Sequence, residues 1–360
     1  MTSNDDFVVA IGQLPPPVTG LSYITARMID AIKGTHPVRT ANIAAEPGQT
    51  GLSKHIRRAL RVLAAGAVLL RHTFRTGRRC YLVCEGDWGL AYIIFLAALA
   101  RVCSYPTVLH HHSFAYIDRP RALLRLLLRA GGPALTHVFL CPIMSIKFAS
   151  AYGVEPKACI VSNSAFVEPD LDFQTPTGPL TIGLLSNLTR EKGLHTFLEL
   201  VRSARTQGLG IRAVLAGPIG VEADRKLVED ATRDLRDALE YRGPLYGSSK
   251  NTFYRDIDIF VFPTQYSHEA EPTVVFEALS AGNLIIAFDR GCITSQVGTN
   301  GLIVPTNSNF VQDSLGYLRQ AAGQLTNLRS ERPSCIDAYG ALHSSSSTIA
   351  KQLFRDPAGN

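Results

Sequence analysis

Two glutamates with seven residues between them, Glu269 and Glu277, lie in the stretch IFVFPTQYSHEAEPTVVFEALSAGN at 259–283. Carboxylates accept hydrogen bonds from hydroxyl groups, so a fixed pair of them suits a polyhydroxylated ligand such as a sugar. The residues around the pair sharpen that reading. Ile259–Phe262 is a short apolar run that reads as a buried strand, and Pro263 closes it. A polar loop, Thr264–Glu271, follows. Pro272 then stands at the first position of a helix, where proline is tolerated, and Gly282 stands just past its end. Strand, loop and helix in this order put the loop at the carboxyl end of the strand, where open α/β sheets bind ligands. The amides of Thr273, Val274 and Val275, together with the helix dipole, suit a diphosphate.

The chain that must position these groups is 360 residues long, enough for about two domains with full cores. Apolar runs of strand length alternate with helical stretches throughout, the pattern of an α/β protein. At 46% hydrophobic and 18% charged the composition is that of globular material. The longest apolar run, Leu90–Ala100, stops at Arg101, short of the roughly 18 residues that a membrane span needs. The opening MTSNDDFVVAIG is acidic and enters a strand, unlike a signal peptide. Seven cysteines are scattered without a CxxC pair, so no zinc site or disulfide framework is expected, and the expected compartment is reducing cytoplasm. Neither GxGxxG nor GxxxxGK[ST] occurs, which counts against a dehydrogenase or a P-loop enzyme.

Charge is uneven. Residues 1–170 hold 18 Lys and Arg against 10 Asp and Glu, a net +8, whereas residues 171–360 carry −2. Much of the excess lies between Lys54 and Arg79, where Ile56, Leu60, Leu63, Ala67 and Leu70 recur near helical spacing. Arg119–Arg129, RPRALLRLLLR, is similar. Such basic amphipathic helices suit a membrane surface bearing anionic lipid, or else pack on a core with a solvated basic face. Nucleic acid is not expected, because no aromatic stacking pattern accompanies the charge. Thr107–His112 reads as a strand ending in three histidines. Alternation lets at most His110 and His112 share a side, and no carboxylate or cysteine pattern completes a metal site, so no metal is expected.

The Glu-x7-Glu pair, followed by Ala278-Leu279-Ser280-Ala281-Gly282, resembles the signature of the retaining family-4 glycosyltransferases, the glycosyl transferases group 1. That resemblance extends along nearly the whole chain. It implies the α/β GT-B fold, two Rossmann-like doubly wound domains facing across a cleft: 1–165 for the acceptor, a linker at 166–178, and 179–335 for a nucleotide-sugar. The segment 336–360 would be a helix crossing back to the first domain. It further implies that Glu277 takes the nucleotide ribose and Glu269 the donor sugar, with Thr273 and Val274 at the diphosphate. Lys192-Gly193 matches the family's Lys-Gly, whose lysine holds the diphosphate. The family's arginine in that loop is Asn187 here, with Arg190 close by as a substitute. Asn supplies neither the charge nor the fork of Arg, so Lys192 carries more of the load. In the first domain the Gly-rich turn is reduced to Gly20, with Thr19 where a second glycine is usual. His112 best matches the family's histidine against the donor sugar, with His110 second.

The activity implied is a retaining, metal-independent hexosyltransferase, with a nucleotide-sugar donor and no cofactor. Its acceptor would be a saccharide, lipid-linked, for surface polysaccharide or glycoconjugate synthesis. The place of action would be the cytoplasm or the inner face of the cytoplasmic membrane. Two other classes stay open: a GT-B epimerase or phosphorylase, and a catalytically degenerate nucleotide-sugar binder or scaffold, which Asn187 and the lone Gly20 favour.

Overall fold

The computed structural model describes residues 6–45 and 51–354. The acidic opening residues 1–5 and the last six residues of the expected C-terminal segment lie outside the described residues. The chain divides into two compact units, one holding residues up to Phe166 together with those from Ser344, the other Val167–His343.

In the first unit the elements are β1 (Phe7–Gly12), α1 (Gly20–Lys33), β2 (Val38–Asn42), α2 (Gly51–Arg71), β3 (Arg78–Cys84), α3 (Gly89–Val102) and β4 (Thr107–His111). Then come α4 (Ala115–Asp118), α5 (Ala122–Gly131), β5 (Thr136–Phe139), α6 (Pro142–Tyr152) and β6 (Lys157–Ile160). In the second unit they are β7 (Thr181–Leu185), α7 (Leu194–Thr206), β8 (Arg212–Ala216), α8 (Glu222–Leu235), β9 (Leu239–Tyr241), α9 (Ser248–Arg255) and β10 (Ile259–Phe262). There follow α10 (Thr273–Ser280), β11 (Leu284–Phe288), α11 (Ile293–Val297), β12 (Gly301–Val304), α12 (Phe310–Gly323) and α13 (Leu325–Gln352), whose last turns return to the first unit.

Each unit is built on a six-stranded sheet, in the orders β2-β1-β3-β4-β5-β6 and β12-β11-β10-β7-β8-β9. Neighbouring strands pair in parallel, for example Ile259 with Leu284 through Phe262 with Ala287. Helical crossovers cover both faces of a parallel sheet, so its central strands are buried without alternation. β1, β4, β7 and β10 are accordingly buried at every position.

The elements depart from expectation in four places. β2, VRTAN, carries no strand-like apolar pattern because it is an edge strand with little to bury. Arg78 and Arg79 belong to β3 and not to the basic helix, which ends at Arg71. Helix α13 starts at Leu325, well before the expected segment 336–360, and runs through Pro333. Residues 167–178, expected as a linker, are tied to the second unit: the Asp170 amide donates to Ser280 O at 3.0 Å, and the Asp170 carboxylate pairs with Arg255.

Within α13 the side chain of Arg332 is 2% exposed. It donates to the carbonyls of Ala281 at 2.7 Å, Tyr254 at 2.8 Å and Ile257 at 3.1 Å. Asn283 donates to the same Tyr254 and Ile257 oxygens. These bonds satisfy the ends of α9 and α10 and so fix the two helices against each other. Burial pulls the Arg332 guanidinium down to about 10, a measure of how dry the site is. Replacing Arg332 with Met leaves buried carbonyls short of donors, and should destabilise the second unit by about 3 kcal/mol in urea unfolding. An unchanged midpoint would show that the guanidinium does not hold these helices.

Candidate functional site

In the second sheet the chain runs β7 to β8 to β9 toward one edge and β10 to β11 to β12 toward the other. The direction reverses between β7 and β10, so a crevice opens beyond their carboxyl ends. The loops lining it are 186–193 after β7 and 263–272 after β10, and they are joined by backbone. Gln265 N donates to Glu191 O at 2.7 Å. Such an approach needs Gly193, at φ 91°, whose added Cβ would lie 2.5 Å from Pro263 O. On the far side of the second loop, Gly291 at φ 55° lets the chain pass Glu269 and Ala270, whose carbonyl oxygens would lie 2.6 and 2.4 Å from a Cβ there. The sequence reading held Gly193 only as half of a Lys-Gly pair and passed over Gly291, because a glycine's tertiary neighbour is invisible in one dimension.

The junction brings Lys192 and Glu269 together. Lys192 Nζ donates to Glu269 Oε2 at 2.7 Å and sits 4.5 Å from the centroid of the Tyr266 ring. Thr264 Oγ1 donates to the same oxygen at 3.0 Å. The Glu269 side chain is only 9% exposed, so its charge is compensated where it is desolvated.

Glu277 stands apart from this cluster, in one of its own. Lys250 Nζ lies 2.6 Å from its Oε1, and Tyr254 donates to Oε2 at 2.9 Å. Burial and the Glu277 charge push the Tyr254 phenol well above its ordinary value, so it stays a donor. Lys250 and Tyr254 are four apart on α9 and therefore share a face. That spacing was present in the sequence, but only the tertiary fold aims it at Glu277.

Between the two carboxylates lies the start of α10. Pro272 is its N-cap, in extended conformation, and not its first helical residue. Val275 N donates to Pro272 O at 3.2 Å, so of the three expected amide donors Thr273 and Val274 remain. Gln296 holds the same carbonyl at 3.1 Å. Asn187 and Arg190 are exposed on the loop after β7.

The first unit holds the other two candidates. Gly20 is the exposed first residue of α1, and Thr19 is the N-cap: its hydroxyl accepts from Ser22 N at 3.1 Å, while Thr19 N donates to Ser22 Oγ at 2.8 Å. Thr19 thus has a structural task where the family pattern has glycine. His112 follows β4 directly. Its ring lies 4.0 Å from that of His110, which is 2.7 Å from Tyr81 Oη through Nδ1. His111 points to the other face, 2.9 Å from both Tyr116 Oη and His137 Nδ1. The Nε2 atoms of His110 and His112 are buried without a hydrogen-bond partner. Among the described residues, no group of three or more His, Cys, Asp or Glu could hold a metal ion.

Residues 170–316, within the second unit, match the family described as Glycosyl transferases group 1. Over 140 residues the chain is 28% identical to WcaL of Salmonella typhimurium, whose name assigns it to colanic acid biosynthesis as a glycosyltransferase. That match spans 37% of this chain and about a third, 34%, of the relative. Among solved structures, sucrose-phosphate synthase from Thermosynechococcus elongatus superposes with a TM-score of 0.73 at 14% identity, over 97% of this chain and 98% of that one. HepE of Anabaena, in complex with UDP and glucose, gives 0.65 at 14% identity over the same shares. The fold is the α/β GT-B fold.

Burial holds the histidine cluster neutral: His112 falls to about 3, His137 to about 4, and His110 and His111 well below the usual range. Folded values below the unfolded 6.5 mean that the unfolded chain takes up protons first. Their contribution is complete above pH 6.5 and is lost as pH falls toward 4. Urea unfolding should show stability dropping between pH 7 and 5, by up to about 1.4 kcal/mol per pH unit for each histidine. His111→Phe should flatten that slope; an equal slope in the variant would contradict the burial of the ring.

Proposed function

We propose that the protein is a retaining glycosyltransferase that moves a hexose from a nucleotide-sugar to a saccharide acceptor, lipid-linked, in surface polysaccharide or glycoconjugate synthesis. One observation carries this reading: two carboxylates, each braced by a lysine and a hydroxyl, flank open helix amides at the switch point of the second sheet. Glu277 would take the ribose hydroxyls, Glu269 the hydroxyls of the donor sugar, and the amides of Thr273 and Val274 the diphosphate. Lys192, beside Glu269, would stabilise charge developing on the leaving diphosphate, in place of a metal. The bond from the anomeric carbon to the diphosphate oxygen breaks, a bond to the acceptor oxygen forms on the same face, and the acceptor proton passes to the diphosphate. Arg190 would supply part of the charge that Asn187 lacks. His112 would bear on the donor sugar and Gly20 on its phosphates.

The UDP and glucose held by HepE support a UDP-sugar as the first donor to try, and the name of WcaL supports a polysaccharide product. The basic first half supports action at the inner face of the cytoplasmic membrane. A second reading, a nucleotide-sugar binder without turnover, is favoured by Asn187 in the arginine position.

A thermal-shift screen against UDP-, GDP-, ADP- and CMP-sugars, with and without EDTA, tests the donor site. One nucleotide should raise the melting temperature irrespective of EDTA, and the rise should vanish in Glu277→Ala. With that donor and an acceptor, the product should keep the anomeric configuration by NMR. Lys192→Met should lower kcat by about 100- to 1,000-fold. A shift without any transfer would favour the second reading, and no shift at all would sink both.

A further inference from the structure

Helix α2 carries an apolar stripe on its outer side in addition to its core-facing residues. Its apolar positions Ile56, Leu60, Leu63 and Leu70 are 52–59% exposed, and Ala67 continues their row. At spacings of four and three residues they form one stripe along the helix. Two of its arginines point inward instead. Arg58 pairs with the buried carboxylate of Glu85 at the end of β3 and lies 4.9 Å over the Tyr92 ring, and Arg61 donates to Ala44 O. These contacts, with Val62, Ala65 and Leu69 in the core, fix which side of α2 meets the sheet. At Gly66 the helix packs closely on α3: an added Cβ would lie 3.1 Å from Leu99 and 3.3 Å from Phe95. Phe95, 42% exposed, lies beside α2, and Phe74, 96% exposed, follows the helix end.

Exposed Arg71 and Arg75 stand at the carboxyl end of the stripe, Lys54 lies in the first turn of the helix, and residues 51–84 contain no Asp or Glu. Two copies of α2 packed through their stripes would bring these cations together with no carboxylate on either helix to offset them. An apolar layer roofed by negative charge has the complementary chemistry.

We propose that the outward stripe of α2 is a docking surface that inserts into the headgroup boundary of an anionic lipid bilayer. The proposal deepens the reading of a membrane-borne acceptor, on which it rests for its purpose. No helix among the described residues is long and apolar enough to cross a membrane, so the contact would be that of a helix lying in the interface.

The full chain should co-sediment with phosphatidylcholine vesicles containing phosphatidylglycerol, but not with phosphatidylcholine alone, and binding should weaken with added salt. The double variant Leu60→Asp/Leu63→Asp should bind at least about tenfold more weakly. Its melting temperature and its shift with nucleotide-sugar should match those of the parent, because both side chains lie outside the core. Absence of binding, equal binding by the variant, or binding indifferent to lipid charge would each overturn the proposal. So would a dimer in analytical ultracentrifugation that the same variant dissociates. Transfer assays separate the two readings: transfer to a water-soluble acceptor without vesicle binding overturns the docking surface alone, and vesicle binding without transfer to either a soluble or a lipid-linked acceptor overturns the transferase alone.

Discussion

The loops after β7 and β10 can meet only because Gly193 carries no side chain. Their backbone bond, Gln265 N to Glu191 O, sets Lys192 beside Glu269 at the crest of the second sheet. A larger residue at 193 would press on Pro263 and part the loops, and the lysine and carboxylate would each face solvent alone. A desolvated carboxylate is tolerable where a cation and a hydroxyl share its charge, and this junction supplies both.

From that junction the support spreads outward through buried polar groups. Arg332 and Asn283 close the carbonyls at the ends of α9 and α10, and so hold Tyr254 and Lys250 toward Glu277. The two carboxylates consequently have different partners and separate surroundings, although they are only eight positions apart in the chain. One is placed by a loop-to-loop contact, the other by a helix-to-helix contact. Proteins that bind a ligand with chemically distinct parts need such independently braced groups.

Buried polar groups mark the first unit as well. The central strand β4 carries His110 on one face and His111 on the other, each partnered by a tyrosine and each neutral through burial. On α2, Arg58 and Arg61 turn inward beside Val62, Ala65 and Leu69, while Leu60, Leu63 and Leu70 lie outside. Apolar periodicity identified that helix correctly but says nothing of which side meets the core. The Glu85 carboxylate and the Ala44 carbonyl decide it.

Much of this protein was legible in one dimension. Continuous apolar runs mark strands buried on both faces, and their alternation with helices yields the α/β fold, since parallel strands must be joined by crossovers. The Glu-x7-Glu spacing, the proline before α10 and the glycine after it marked out a candidate site because they reflect local backbone geometry. What tertiary structure alone decided are relations between distant segments: Lys250 and Tyr254 on Glu277, Thr264 and Lys192 on Glu269, Arg332 under two helix ends, and the outward turn of α2. Periodicity and capping depend on neighbours a few residues away, and so survive in the sequence. A hydrogen bond between residues tens of positions apart depends on packing, and exists only once the chain is folded.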